Sequence, residues 1–325
     1  MPGRLPTWRI LREIDLGAVR AEADRPFRVQ LLAETRGEAD QLARLLTGDA
    51  DSRPHPWLLS SAAELEAGAA PLPELAVLLS RAPELPPRLA IAAEGLGRHR
   101  VPMVTVVVGG SSAADGVVRP GEAARAAVPA LSAKHLEAVA QAVASGAPPE
   151  LRLAMARQLP PLRQPVIAGV IEQTARANAL FALGSGVAES VPLLTLPLNV
   201  GDIVVLTKNQ VVMSYRIALA GGRKGTARAV LGQTLGVVGS GFLLRQLARQ
   251  LVGLVPVIGI APKVAVSYAG TWAVGRAVAA WAAGGPPVTR DSVKRFYAEA
   301  LQRGRQVASA FSWARRARRV RRILR

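Results

Sequence analysis

The residues with the best placement for binding a phosphate lie in one turn, which reads LAETRGEAD from Leu32 to Asp40. A phosphate-binding P-loop needs G-x-x-x-x-G-K-[ST], with a lysine for the phosphates and a hydroxyl for magnesium. If Gly37 takes the second glycine position, Leu32 stands at the first, Glu38 replaces the lysine and Ala39 replaces the hydroxyl residue. A carboxylate repels phosphates and an alanine cannot ligate a metal. The turn therefore predicts no ordinary binding of GTP or ATP, and a plain surface turn before a helix is the favoured interpretation.

Metal and nucleophile chemistry is poorly represented in the rest of the chain. The sequence has no cysteine, which excludes disulfides, thiolate metal sites and cysteine nucleophiles together. Its three histidines, His55, His99 and His135, have no histidine or carboxylate neighbours at ligand spacing. We predict that the chain has no catalytic residues, no metal and no cofactor.

The first half of the chain alternates apolar runs with helical periodicity. Runs typical of strands occupy residues 27–33, 57–59, 74–80, 103–110 and 126–132. Helical spacing marks residues 35–48, 87–100 and 134–146, and Gly48 is expected to end the first of these helices. Strands separated by helices predict a small parallel α/β sandwich over residues 26–147, preceded by an N-terminal arm at residues 1–25.

The second half is more apolar, and its composition predicts a helical bundle or hairpin over residues 150–285. Residues 262–283 form the best candidate for a membrane span, with Lys263 and Arg276 able to reach toward its ends, whereas residues 229–244 are marginally short. Small residues recur every fourth position in both segments: Gly232, Gly236 and Ser240 in one, and Ala265, Ala269, Ala273 and Ala277 in the other. Such ridges let two helices pack closely, in a membrane or in a water-soluble core.

A third apolar stretch, residues 190–220, carries too many polar residues for a lipid-facing span. Pro192, Pro197 and Gly201 interrupt its first part. In the helix that follows, Asp202, Asn209 and Arg216 are seven residues apart and therefore form one narrow polar stripe. The stripe predicts a bundle helix whose polar side faces water, with contact to another protein or to a wet cavity as the alternative.

The carboxy-terminal residues 286–325 form a basic tail. After Glu299 the sequence has nine arginines and no acidic residue. An apolar stripe runs along the same segment, with Trp313 at its edge and Arg315, Arg316, Arg318, Arg319, Arg321 and Arg322 around it. A basic amphipathic helix of this kind is suited to an anionic membrane surface. Nucleic acid is the less favoured partner, since no groove-reading motif or stacking platform accompanies the arginines.

Residues 150–283 resemble the YcjF-like family of helical domains of unknown function. The resemblance is carried by AMARQLPPLR, TARANA, GDIVVLTKNQVVM and the turn VPVIG. In that family the helical domain commonly follows an Era-type GTPase domain, and some members are inner-membrane proteins. The resemblance implies that residues 26–147 are an eroded P-loop GTPase-like domain.

The same resemblance implies where the guanine-reading residues have been lost. Gly109 and Gly110 stand in place of the Asn and Lys of the base-reading motif, and Ser112 stands in place of its Asp. Only Ser132, Ala133 and Lys134 still resemble the last base-side loop of a GTPase. A pseudo-GTPase domain is therefore expected.

Charge and targeting signals complete the sequence-based hypothesis. The formal net charge is +18, and residues 1–25 contain no uninterrupted apolar region, which predicts no secretory signal. We expect a non-catalytic scaffold or regulatory protein on the cytoplasmic side of the inner membrane, integral or peripheral, with an intact GTPase as a possible protein partner and no small-molecule substrate. The alternatives are a soluble cytoplasmic adaptor and a protein with residual nucleotide binding.

Overall fold

The structure is a computed structural model of the 325-residue chain. It describes residues 15–48, 58–59, 72–109, 120–188, 200–225, 227, 229–232, 260–286 and 288–323. These residues divide into two compact units: an α/β unit at residues 20–166, and a helical unit made of residues 1–19 and 167–325.

A parallel sheet forms the centre of the α/β unit. Its strands are β1 (Val29–Ala33), β2 (Leu58–Leu59), β3 (Leu75–Ser80), β4 (Met103–Val108) and β5 (Glu122–Val128). The order is β2-β1-β3-β4-β5, every pairing is parallel, and β2 adds only two residues at one edge. The predicted parallel α/β architecture is thus confirmed.

Helices cover both faces of this sheet. The unit contains α2 (Arg36–Thr47), α3 (Pro87–Arg98), α4 (Leu136–Gly146) and α5 (Arg152–Gln158), and α1 (Leu16–Ala23) precedes β1. Because strand side chains alternate between faces, Val77 joins a core with α2 and α4, whereas Leu78 joins a second core with α3. The two cores define a three-layer sandwich.

The segment after α4 packs in the α/β unit as well. Ala154, Met155, Leu159 and Leu162 are fully buried in the same core as α2 and α4. The residues AMARQLPPLR, which the sequence assigns to the helical region, therefore contribute to the sandwich. Apolar spacing shows that a helix is amphipathic but leaves open which surface it covers.

The helical unit is built from four described helices and follows the α/β unit, as predicted. These are α6 (Arg163–Ala188, which starts in the α/β unit), α7 (Val200–Ala220), α8 (Ile260–Ala282) and α9 (Arg290–Ile323). Helix α8 packs against both α7 and α9. Residues 229–232 are also helical.

Helices α8 and α9 approach each other closely. A Cβ placed on Gly304 would lie 2.5 Å from the backbone oxygen of Ala265. The alanines at 265, 269, 273 and 277 are all buried, and so are Ala300, Gly304 and Ala308 at the same fourfold spacing on α9. The predicted alanine ridge therefore meets α9. Gly232, on the other expected ridge, is exposed with open space around it, and residues 236 and 240 lie outside the described residues.

Candidate functional site

The carboxyl ends of the strands surround a cleft of about 550 Å³. It is lined by Glu38, Gln41, Leu79, Arg81, Val108, Gly109, Pro129, Ala130 and Leu131. In a doubly wound sheet of this strand order, the crevice between the ends of β1 and β3 is the usual ligand position. This cleft is accordingly the place where a nucleotide domain of similar topology would bind its ligand.

The turn after β1 is too short to form a phosphate cradle and is closed by its own side chains. Only Glu34 and Thr35 separate β1 from α2. The Thr35 hydroxyl accepts a hydrogen bond from the Glu38 backbone N–H, and the Glu38 carboxylate accepts one from the Thr35 N–H at 3.2 Å. This capping box uses amide groups that a phosphate would need.

An ion pair bridges the crevice itself. The Arg81 guanidinium, just after β3, lies 2.8 Å from Oε1 of Glu38, and the Arg81 backbone N–H donates to Glu34 at 3.1 Å. Burial acts to raise the pKa of the Glu38 carboxyl, but hydrogen bonds from Arg81 and Thr35 outweigh it and leave that pKa below its ordinary value. The position of the P-loop lysine is thus held by a stably ionised carboxylate.

The other residues of the expected P-loop are built into regular elements. Leu32 is buried in β1, Gly37 lies in the first turn of α2, and Ala39 is buried under that helix. Leu32 and Ala39 are thus core residues of this unit.

We predict that the contribution of Glu38 to stability depends on pH in a defined direction. Since the folded pKa lies below the unfolded one, the stabilisation is complete at pH values above about 4.5 and is lost as the pH falls through the folded value. Glu38→Gln retains an acceptor for the capping box and removes the charge. Thermal unfolding should show Glu38→Gln less stable than the natural chain at pH 7, with the difference shrinking as the pH falls below about 4.5. Glu38→Ala should lose a further ~1 kcal/mol at every pH, because it also removes the acceptor of the Thr35 backbone N–H. A constant gap between Glu38→Gln and the natural chain across this range would contradict the assignment.

The expected base-side loops are only partly described. Gly109 ends β4 with a positive φ of 89°, and its N–H donates to the Val128 oxygen at 2.8 Å. Gly110 and Ser112 lie outside the described residues. Ser132 precedes a single 3-10 turn, Ala133–His135, and its hydroxyl lies 3.2 Å from Nδ1 of His135.

In the helical unit, one member of the predicted polar stripe contacts a buried neighbour on another helix. The Asn209 amide donates to Oδ1 of Asn178 at 2.8 Å, and Asn178 is fully buried. Arg216 is half-buried, whereas the side chain of Asp202 lies outside the described residues. The half-buried Asn209 side chain therefore contacts the interior of the unit.

Asn178 is the centre of a hydrogen-bond network that sequence reasoning missed. Its Nδ2 donates to Thr271 at 2.9 Å, its backbone oxygen accepts from Ser267 at 3.0 Å, and the Thr271 hydroxyl also donates to the Ser267 oxygen. The network links α6, α7 and α8. Ser267 and Thr271, one turn apart in an alanine-rich helix, were the available sequence signal.

We expect Asn178→Ala to lower the free energy of unfolding by about 2–3 kcal/mol, because buried partners lose their hydrogen bonds. Gln173→Ala, which removes an exposed amide from the same helix, is the matched control and should change stability by less than about 0.5 kcal/mol. Chemical denaturation measures both variants. Equal effects would mean that the network contributes no stability.

The net positive charge of the chain lies entirely on the helical unit. Residues 20–166 contain 16 basic and 16 acidic residues, whereas residues 1–19 and 167–325 contain 25 basic and 7 acidic residues. The basic tail, residues 286–325, contains α9, which runs unbroken for 34 residues, or about 51 Å. Trp313, Arg315, Arg316, Arg318, Arg319, Arg321 and Arg322 lie on this helix, and their side chains are outside the described part of the structure.

The described residues contain neither a candidate membrane-spanning helix nor a candidate metal-binding cluster. None of the helices there, α8 included, is long and apolar enough to cross a membrane. Nor does any group of three or more His, Asp or Glu side chains within those residues have a metal-binding arrangement.

Comparison of the chain with models of known protein families, with curated proteins and with solved structures finds no match.

Proposed function

We propose that this protein is a non-catalytic scaffold or regulator that binds an anionic membrane surface through its helical unit. In this proposal the α/β unit is a pseudo-GTPase domain without nucleotide, and the helical unit is YcjF-like. The observation that carries the proposal is the location of the net charge: all of it lies on residues 1–19 and 167–325, and none on the α/β unit.

The sequence and geometry of α9 support a surface partner that is flat and negative. Its first half packs on α8, and Gly304 lies opposite Ala265 near the start of that helix. Residues 310–323 continue the helix for about 21 Å beyond this contact. This part of α9 contains six arginines, Trp313 and Phe311. Each cation close to an anionic bilayer contributes on the order of 1 kcal/mol to the free energy of membrane binding.

The charges in the crevice between the ends of β1 and β3 support the absence of a bound nucleotide. A triphosphate there would meet the carboxylates of Glu34 and Glu38, and it would have to break the pair between Glu38 and Arg81. The one cation among these three residues is already neutralised. The balanced charge of this unit suits a protein partner, and an intact GTPase of related fold is the partner that the family resemblance suggests.

Two binding measurements on the full chain test this function. Sedimentation with phosphatidylglycerol vesicles should pellet the protein at low salt, and phosphatidylcholine vesicles should leave it in the supernatant. Titration calorimetry with GTP and magnesium should give no heat of binding. A protein that stays in the supernatant with both lipids would favour a soluble adaptor, and micromolar, magnesium-dependent GTP affinity would establish a nucleotide-binding protein instead.

A further inference from the structure

A pair of guanidinium groups lies around one buried indole in the helical unit. The Arg276 guanidinium carbon is 5.4 Å from the centre of the Trp272 ring on α8, and that of Arg303 on α9 is 4.8 Å from the same centre. Arg276 also lies 5.7 Å from the ring centre of Phe296. Cations within about 6 Å of a ring centre are attracted to its face. Two rings from two helices therefore hold Arg276 in place.

Among the described residues Arg276 has no counterion, whereas Arg303 and Arg176 each have one. Arg303 forms an ion pair with Glu299 at 3.3 Å, and Arg176 forms one with Glu172. The Glu172 carboxylate also accepts a hydrogen bond from the Tyr268 hydroxyl. Within the described residues, Arg276 makes no hydrogen bond and no ion pair, and its side chain is exposed. From the sequence alone, the Arg276 cation in α8 was explained by a side chain that reaches toward the edge of a membrane. The contacts with the rings of Trp272 and Phe296 give a second explanation.

This arrangement leaves the N–H donors of Arg276 available. The guanidinium is planar and carries five N–H groups in a fixed fork, and within the described residues none of them has a hydrogen-bond acceptor. That planar fork matches two oxygens of a phosphate, and holding it on the rings reduces the entropy lost on binding. The nearby Arg303 adds positive potential to the same position.

We infer that Arg276 is a binding site for a phosphate oxyanion, supplied by the headgroup of an anionic phospholipid. The inference rests on the proposed function in one respect, since the membrane is the source of the phosphate. It adds that the helical hairpin α8–α9 contributes a defined headgroup contact besides the diffuse charge of the tail.

Arginine-to-lysine variants of the full chain test the site, because they conserve the charge and remove the planar guanidinium that can bind two phosphate oxygens. Arg276→Lys should bind phosphatidylglycerol vesicles about tenfold more weakly than the natural chain. Arg305→Lys, at an exposed position on α9, is the matched control and should bind within about twofold of it. Thermal unfolding of both variants checks that they are folded. Equal vesicle binding by the two variants would overturn the inference.

A second measurement decides the inference even if a variant fails to fold or the natural chain binds no vesicles. Titration of the natural chain with inorganic phosphate, followed by NMR of arginine Nε–Hε groups, should shift the signal of Arg276 and leave that of Arg305 in place. An unshifted Arg276 signal would refute the site. If phosphate shifts the Arg276 signal but the chain does not bind vesicles, the lipid source and the proposed function are refuted. The assignment of Arg276 as an oxyanion site would then remain.

Discussion

Gly304→Ala should destabilise the helical unit by about 3 kcal/mol. The added methyl group would lie 2.5 Å from the Ala265 oxygen and 3.2 Å from its Cα, and both atoms belong to the backbone of α8. Rotation of a side chain cannot relieve this overlap, so the two helices must separate along their ridge of buried alanines. Chemical denaturation followed by circular dichroism measures the loss.

Gly169→Ala provides the matched control for this effect. Gly169 also lies inside a helix, α6, but a Cβ there meets nothing within 4 Å. Removing a helical glycine without a clash should stabilise the protein by roughly 0.5–1 kcal/mol. Opposite signs for the two variants would identify close helix packing as the cause. A stabilising Gly304→Ala would show that α8 and α9 do not approach as described.

Replacing the six arginines at 315, 316, 318, 319, 321 and 322 by glutamine should weaken binding to phosphatidylglycerol vesicles at least a hundredfold. Six cations at on the order of 1 kcal/mol each exceed this loss even when screening halves their effect. The same six positions changed to lysine keep the charge and should retain binding within about threefold. Vesicle sedimentation at several salt concentrations measures both variants.

The comparison of these two variants separates general electrostatics from other modes of binding. If the lysine variant loses binding as fully as the glutamine variant, the tail requires arginine geometry and the surface-charge account is wrong. If neither variant loses binding, the contact with the membrane lies elsewhere in the chain.

Local elements of the α/β unit were readable from the sequence because their signals are local. The apolar run at 103–108 became β4, and Gly48 ends α2 with a φ of 69°, the left-handed conformation that glycine adopts without strain. Strand alternation with helices was enough to predict a parallel sheet. The start of β5 was the main difference, because Glu122 and Arg125 extend the strand with an ion pair that hydropathy does not detect.

Partner choice between elements was not readable in the same way. The fourfold alanine spacing of α8 predicted close packing with residues 232–240, most of which lie outside the described residues, and it did not suggest the contact with Gly304 of α9. The Asn209 amide was identified as polar, yet its buried partner Asn178 is 31 residues away. The Glu38–Arg81 pair likewise joins the first turn of α2 to the end of β3, which only the folded sheet brings together. Long-range contacts of this kind depend on tertiary geometry.

Hydrogen–deuterium exchange of the full chain, with and without phosphatidylglycerol vesicles, tests most directly the claim that the helical unit is the membrane-binding part. We expect slower exchange in α9, strongest over residues 310–323, with α2 and the strands of the α/β unit unchanged. Slower exchange confined to residues 20–166, or no change anywhere on vesicles that sediment the protein, would contradict it.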